Sequence, residues 1–362
     1  MIENTYKENM NKNDFIKFLS AFELSQSKIT KILNALNGEY SFEKFCFDDQ
    51  VEKILGDDYT SISRKSNQKY FDAYLARLEE KDIKLLTCED ENYPEKFDKI
   101  EDKPYYIFYK GDISLLTMPS VGIVGTRSPS NYGCVVTERF AKDLANAGAV
   151  IISGLAYGVD SIAHRQALAV NGKTVAVLAS GFDNVYPSEH HALFDEIAEK
   201  GLVISEHRPD VKSLKFNFIY RNRLVAALSD ALLITEAGAK SGTTITKDFA
   251  LDYGVPIYAV PGNITSSKSD GTNNLIATMQ GICLINSENL ISDLGLERKK
   301  TATMQLSINE QTVVDALSMA GCTIDELQEN TKLPISKLNS LLTSLEIKGI
   351  IKRMPGGIFM LG

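Results

Sequence analysis

The chain has 362 residues, 44% of them hydrophobic and 24% charged, with a formal net charge of -8. These are proportions of a soluble globular protein with room for two or three domains. No apolar run approaches the roughly 18 residues of a membrane span, and the acidic balance disfavours general polyanion binding, so a nucleic-acid site would have to be a local patch.

The start, MIENTYKENMNKNDF, is polar and mixed in charge, unlike a secretory leader, and points to a cytoplasmic protein. Cys46, Cys88, Cys134, Cys283 and Cys322 are scattered without a CxxC pair, which argues against a disulfide framework or a zinc site. Residues 1–81 read as a small helical domain. Phe15, Phe18, Leu19, Phe22 and Leu24, then Ile29, Ile32, Leu33 and Leu36, recur at helical spacing. A connector follows, with an extended segment at Tyr105 to Tyr109 and turns at Tyr93-Pro94 and Lys110-Gly111.

From Val121 the pattern changes. Apolar runs at 121–125, 149–153, 174–179, 202–205, 230–235, 256–262 and 282–285 alternate with stretches of helical periodicity. Short apolar strands alternating with amphipathic helices predict an α/β fold, a Rossmann-like doubly wound and mostly parallel sheet over residues 82–286. Residues 287–306 are polar and unpatterned, a predicted linker. Residues 307–362 read as three helices and a short hairpin, a winged-helix-like domain whose Lys337, Lys348, Lys352 and Arg353 suit DNA and whose Glu326, Glu329 and Glu346 suit a protein partner.

Ligands of doubly wound sheets bind beyond the carboxyl ends of the strands. The loops there are rich in Gly, Ser and Thr: 125–128, 153–160, 180–183, 236–244 and 261–263. With Arg127 among them, they predict an anion-binding crevice. Neither G-x-G-x-x-G after the first strand nor G-x-x-x-x-G-K-[ST] is present, so no dinucleotide or nucleoside-triphosphate cofactor is expected. Asp160 and His164 stand one helical turn apart, as an acid–base pair or as a helix cap with a packed imidazole. The segment KSLKFNFIYRNR (212–223) places Lys212, Lys215, Arg221 and Arg223 around Phe216, Phe218 and Tyr220 without a carboxylate. Such a mixture suits single-stranded nucleic acid, because cations track phosphates while rings stack on bases. A strand with its rings buried at period two fits the same spacing.

In order, VGIVGTR, SGLAYGVDSIAH, GKTVAVLASGFDNVYP, GLVISE, RNR followed by AALSD, TEAGAKSGTTIT and AVPGNI resemble the DNA-processing protein A (DprA/Smf) family across residues 82–285. The resemblance implies a single-stranded DNA-binding protein, not an enzyme. It also implies protection of the strand and loading of the RecA recombinase onto it in natural transformation and homologous recombination, with homodimerisation through the Rossmann-like domain. It further implies that Arg127 and Lys215 hold phosphate, that Ser153 and Gly154 line the pocket with backbone donors, and that Phe218 stacks on a base. Arg221, Asn222 and Arg223 would shape the floor and Ser241, Gly242 and Thr243 would close it. Lys247 departs from the family's usual alanine. The rival reading is a nucleotide phosphoribohydrolase with Glu236 as its acid beside the Ser241–Thr244 loop.

Overall fold

The computed structural model describes residues 9–239, 241–297, 306–317, 321–354 and 357–361. The chain divides into two compact units, Met1–Lys299 and Lys300–Gly362. The first begins with six short helices, α1 (Lys12–Leu19), α2 (Gln26–Leu36), α3 (Phe42–Phe47), α4 (Asp49–Leu55), α5 (Tyr59–Lys65) and α6 (Gln68–Glu80). Asn11, Ser25, Ser41, Asp48 and Asn67 accept hydrogen bonds from first-turn amides of α1, α2, α3, α4 and α6, satisfying donors that a helix start leaves unpaired. Phe18 is fully buried at the centre, its ring meeting those of Phe15, Phe22, Phe42, Phe45 and Phe71.

Next come β1 (Lys84–Thr87), β2 (Tyr106–Gly111), β3 (Ser120–Val124), α7 (Asn131–Asn146), β4 (Val150–Ser153), α8 (Val159–Ala169), β5 (Thr174–Val177), α9 (His191–Lys200), β6 (Leu202–Ser205), α10 (Lys215–Leu228), β7 (Ala231–Ile234), α11 (Thr243–Asp252), β8 (Ile257–Ala259), α12 (Asp270–Ala277), β9 (Ile282–Cys283) and α13 (Ser287–Asp293). The strands form one sheet in the order β1-β2-β6-β5-β4-β3-β7-β8-β9. It is parallel from β6 to β9, and β1 and β2 add an antiparallel edge. The apolar runs of the sequence are these parallel strands; β3 to β7 are buried throughout, as a sheet covered on both faces requires. At the far edge β9 is only two residues long, and both are exposed.

The six helices do not stand apart from the sheet. Their core is continuous with Tyr106 and Phe108 of β2, Val203 of β6 and Phe194 of α9. Polar ties reinforce the junction: Gln26 Oε1 accepts from the Tyr105 amide at 3.0 Å, and Arg208 Nη1 donates to the Ala21 carbonyl at 2.6 Å. Two details correct the sequence reading. Residues 287–293 are a helix, not the start of a linker, because Leu290 and Ile291 pack into the core beside β3 and Tyr258 donates to Asp293 at 2.6 Å. Two apolar residues in so short a helix leave no readable period. Residues 212–223 are not a strand either, since α10 begins at Lys215.

The second unit holds α14 (Ile308–Ala316), α15 (Ile324–Thr331), α16 (Ile335–Ile347) and the antiparallel pair β10 (Ile351–Met354) and β11 (Ile358–Leu361), the winged-helix arrangement. Capping boxes at Ser307/Glu310 and Thr323/Glu326 start its first two helices. Lys348 and Ser344 also donate to Glu310, drawing α16 onto α14. Among the described residues, no helix is long and apolar enough to cross a membrane, and no cluster suited to a metal ion occurs.

Because the N-terminal helices and the sheet share one core, Phe18→Ala should cost about 3–5 kcal/mol. Amide exchange is expected to accelerate together in α1 and β2; acceleration confined to the helices would contradict a common core.

Candidate nucleic-acid interface

The chain runs outward from β3 through β4 and β5 to β6, then returns to the other side of β3 at β7. This reversal opens a crevice beyond the carboxyl ends of β3 and β7, where doubly wound folds take their ligands. The crevice encloses about 540 Å³ and is lined by Gly125, Thr126 and Arg127 after β3, Gly238 and Ser241 to Thr243 after β7, Phe218, Arg221 and Asn222 of α10, and Lys268. Glycine at 125 is required because a Cβ there would overlap Val159 and the Glu236 carbonyl. Gly242, by contrast, faces open space at the start of α11, where the amide end of the helix favours an anion.

Arg221 anchors the floor. It is 5% exposed, and its Nη1 donates to the carbonyls of Gly154 and Val177, at the ends of β4 and β5. A Cβ at 154 would collide with the guanidinium, so only glycine permits this approach. Burial pulls the Arg221 pKa down to about 10; nearby Asp160 opposes the drop and Arg127 adds to it. Burial also raises the Asp160 carboxyl, against Arg221 and the amides of Ala156 and Gly154. Asp160 Oδ2 accepts from those amides at 3.4 and 3.1 Å, so this carboxylate organises the loop after β4.

The rim carries the accessible charge. Arg127 is exposed, its guanidinium 5.4 Å from the centre of the Phe218 ring, within cation–π range. Tyr186 meets that ring edge-on at 5.3 Å. Lys268 is exposed and reaches across to the Ser128 carbonyl at 2.7 Å, tying the loop after β8 to the loop after β3. Arg127, Arg221 and Lys268 outnumber the single Asp160 of the lining, so the crevice is a local cationic site in an acidic protein. Rings beside cations can hold bases and phosphates together.

Sequence comparison agrees in kind. Residues 84–295 match the profile described as DNA recombination-mediator protein A, and residues 297–357 match the DprA winged helix domain. The chain belongs to the DNA recombination-mediator protein A family. It is 31% identical to protein Smf of Synechocystis sp., over 84% of this chain and 85% of that one. It is 38% identical to the DNA processing protein DprA of Streptococcus pneumoniae, over 65% of this chain and 85% of that protein. The solved S. pneumoniae DprA structure superposes with a TM-score of 0.67 at 30% identity, covering 79% of this chain and 99% of that one. Helicobacter pylori DNA processing protein A, described for its single-stranded DNA binding mode, gives 0.54 at 38% identity, covering 59% of this chain and 95% of that one.

The structure brings together Arg127, Phe218, Arg221, Asn222, Ser241, Gly242 and Thr243, and leaves the other four residues of the family expectation outside the lining. Ser153 is fully buried and donates to the Ile123 carbonyl at 2.7 Å, and the Gly154 amide is already taken by Asp160. These two support the floor and offer no free donor to a ligand. Arg223 lies roughly 200° around the helix from Arg221. It ion-pairs with Glu206 at 2.6 Å and stacks 4.0 Å over Tyr220. Lys215 stands exposed at the start of α10. Lys268 lies between AVPGNI and SDGTNNLI, outside both motifs and far along the chain from Arg127 and Phe218. Lys247 turns to Asp248 at 2.6 Å.

Glu236 and His164 are both buried against structural partners. Glu236 is 2% exposed, and both its oxygens accept from Ser130, at 2.7 Å from the amide and 2.6 Å from the hydroxyl, which caps the start of α7. His164 bonds Thr174 Oγ1 at 2.6 Å, leaving Nε2 buried without a partner. Burial, with Arg221, His190 and Arg165 adding, lowers the His164 pKa to about 3. The folded state therefore keeps this ring neutral, while the unfolded chain protonates it near pH 6.5. Stability is intact above that value and falls as pH drops toward 3. Urea denaturation at pH 7 and pH 5 should show a loss of about 1–2 kcal/mol at the lower pH, reduced in His164→Leu.

Proposed function

We propose that the protein binds single-stranded DNA in this crevice, protects it, and delivers it to the RecA recombinase in natural transformation and homologous recombination. The observation that carries the reading is the pair of exposed Arg127 and half-buried Phe218 at the mouth of a cationic crevice closed by the start of α11. Phosphates sit against Arg127, Lys268 and the amide of Gly242, with Arg221 adding charge from below. A base stacks on Phe218. Lys215 continues the cationic track along α10. Family membership and the H. pylori relative support DNA as the ligand.

The protein acts as a cytoplasmic homodimer without enzymatic activity of its own. Exposed Met279, Ile282 and Ile285 beside β9 support self-association of the Rossmann-like unit. The engagement of both Glu236 oxygens by Ser130 and the absence of Glu236 from the crevice lining weigh against a phosphoribohydrolase.

Binding of a labelled ~20-nucleotide strand, compared with the matching duplex at two salt concentrations, tests the reading. Single strand should be preferred, with affinity falling steeply as salt rises. Arg127→Ala with Lys268→Ala should flatten the log–log salt slope by about 1.4, the value for two phosphate contacts on a single strand. Phe218→Ala should cost about 1–3 kcal/mol. Equal affinity for duplex, or an unchanged slope in the double variant, refutes the crevice as the DNA site.

A further inference from the structure

The basic-aromatic segment is only partly used by the crevice. Phe218 faces it, but Phe216, two residues earlier on α10, points roughly 200° away. There a second hollow of about 470 Å³ opens between α10 and the N-terminal helices. Its floor is Tyr106, 1% exposed, and its mouth carries Leu214 and Phe216, 52% and 64% exposed. Tyr220 forms a side wall, held in place by Arg223 over its ring and by Asp102, to which its hydroxyl donates at 2.5 Å.

One polar group in this apolar hollow has no counterpart. Asn217 lines it and is 2% exposed, and its Oδ1 is buried without a hydrogen-bond partner. A buried amide oxygen left unpaired is costly, which points to a ligand carrying an N–H. Glu206 on the same wall carries negative charge, tempered by Arg223, so the interior repels a phosphate. Outside, Lys212 and Lys215 are exposed and form no ion pair among the described residues. Apolar walls, an N–H acceptor inside and cations only at the approach fit one chemical object: a nucleobase whose phosphate stays at the rim. An aliphatic side chain from a protein would leave the Asn217 oxygen unpaired.

We propose that the hollow between α10 and the N-terminal helices is a second base subsite of the same bound strand. This inference rests on the crevice reading. The strand leaves the crevice beside Phe218, passes the start of α10 with its phosphates on Lys215 and Lys212, and inserts a base between Phe216, Tyr220 and Asn217. Stacking tolerates any base, and each of the four DNA bases presents an N–H on its edge, so the subsite adds affinity and strand length without a sequence preference.

The test measures affinities of the full chain for ~5- and ~20-nucleotide single strands, using Phe216→Ala, Phe216→Trp and Arg127→Ala. Phe216 is mostly exposed, so its replacement leaves the fold intact. Phe216→Ala should weaken the long strand about five- to a hundredfold and leave the short one unchanged, with Phe216→Trp restoring wild-type binding. Arg127→Ala should weaken both. Loss in Arg127→Ala with none in Phe216→Ala, or equal loss of both lengths in Phe216→Ala, overturns the second subsite alone. No loss for either strand in Arg127→Ala overturns the crevice reading on which it rests.

Discussion

The site depends on a charged group held out of water. Arg221 places its guanidinium between the ends of β4 and β5, against the carbonyls of Gly154 and Val177, with Asp160 alongside. A guanidinium so placed is tolerable only when its donors are met, because an unpaired buried charge costs several kcal/mol. That demand propagates outward. It requires glycine at 154, orients the loop after β4 through Asp160, and fixes the angle at which α10 crosses the strand ends. The angle in turn sets where Phe218 and Asn222 stand. A surface ligand site thus inherits its geometry from a buried electrostatic constraint.

The helix so fixed has two differently employed flanks. Arg221 and Phe218 serve the crevice, while Arg223 turns to Glu206 and Tyr220, beneath the N-terminal helices. Two arginines separated by one asparagine therefore belong to separate networks. Within the first unit the helical block and the sheet meet along the second flank, where Gln26 and Arg208 bind across the junction. The N-terminal helices are part of the surroundings of α10 and share the sheet's core.

Most of the sheet was legible in the sequence because fully buried parallel strands leave uninterrupted apolar runs, as at VGIVG and DALLIT. The edge strand β1 was not, since KLLT is half exposed and set in a polar connector. For the site, Arg127 and Phe218 could be picked by chemistry and order alone. Ser153, Gly154 and Arg223 could not be placed, because their roles depend on which way each side chain or amide turns, and a motif does not encode direction. Lys268 carried no local signal; it joins the crevice only because β8 lies beside β7. Period-two aromatics at 216, 218 and 220 looked like a strand, yet the apolar run from Leu224 to Leu228 buries the later part of the same segment as a helix.

The far edge of the sheet has a consequence for assembly. With only Ile282 and Cys283 in β9, the rim exposes too few outward main-chain groups to template another strand, so copies cannot zip together by extending the ladder. Any contact made at this flank would rest instead on side chains such as Met279, Ile282 and Ile285, which are exposed. A patch that pairs with itself closes after two copies, whereas an open ladder would go on adding subunits. The brevity of one strand therefore closes off open-ended edge pairing at this flank.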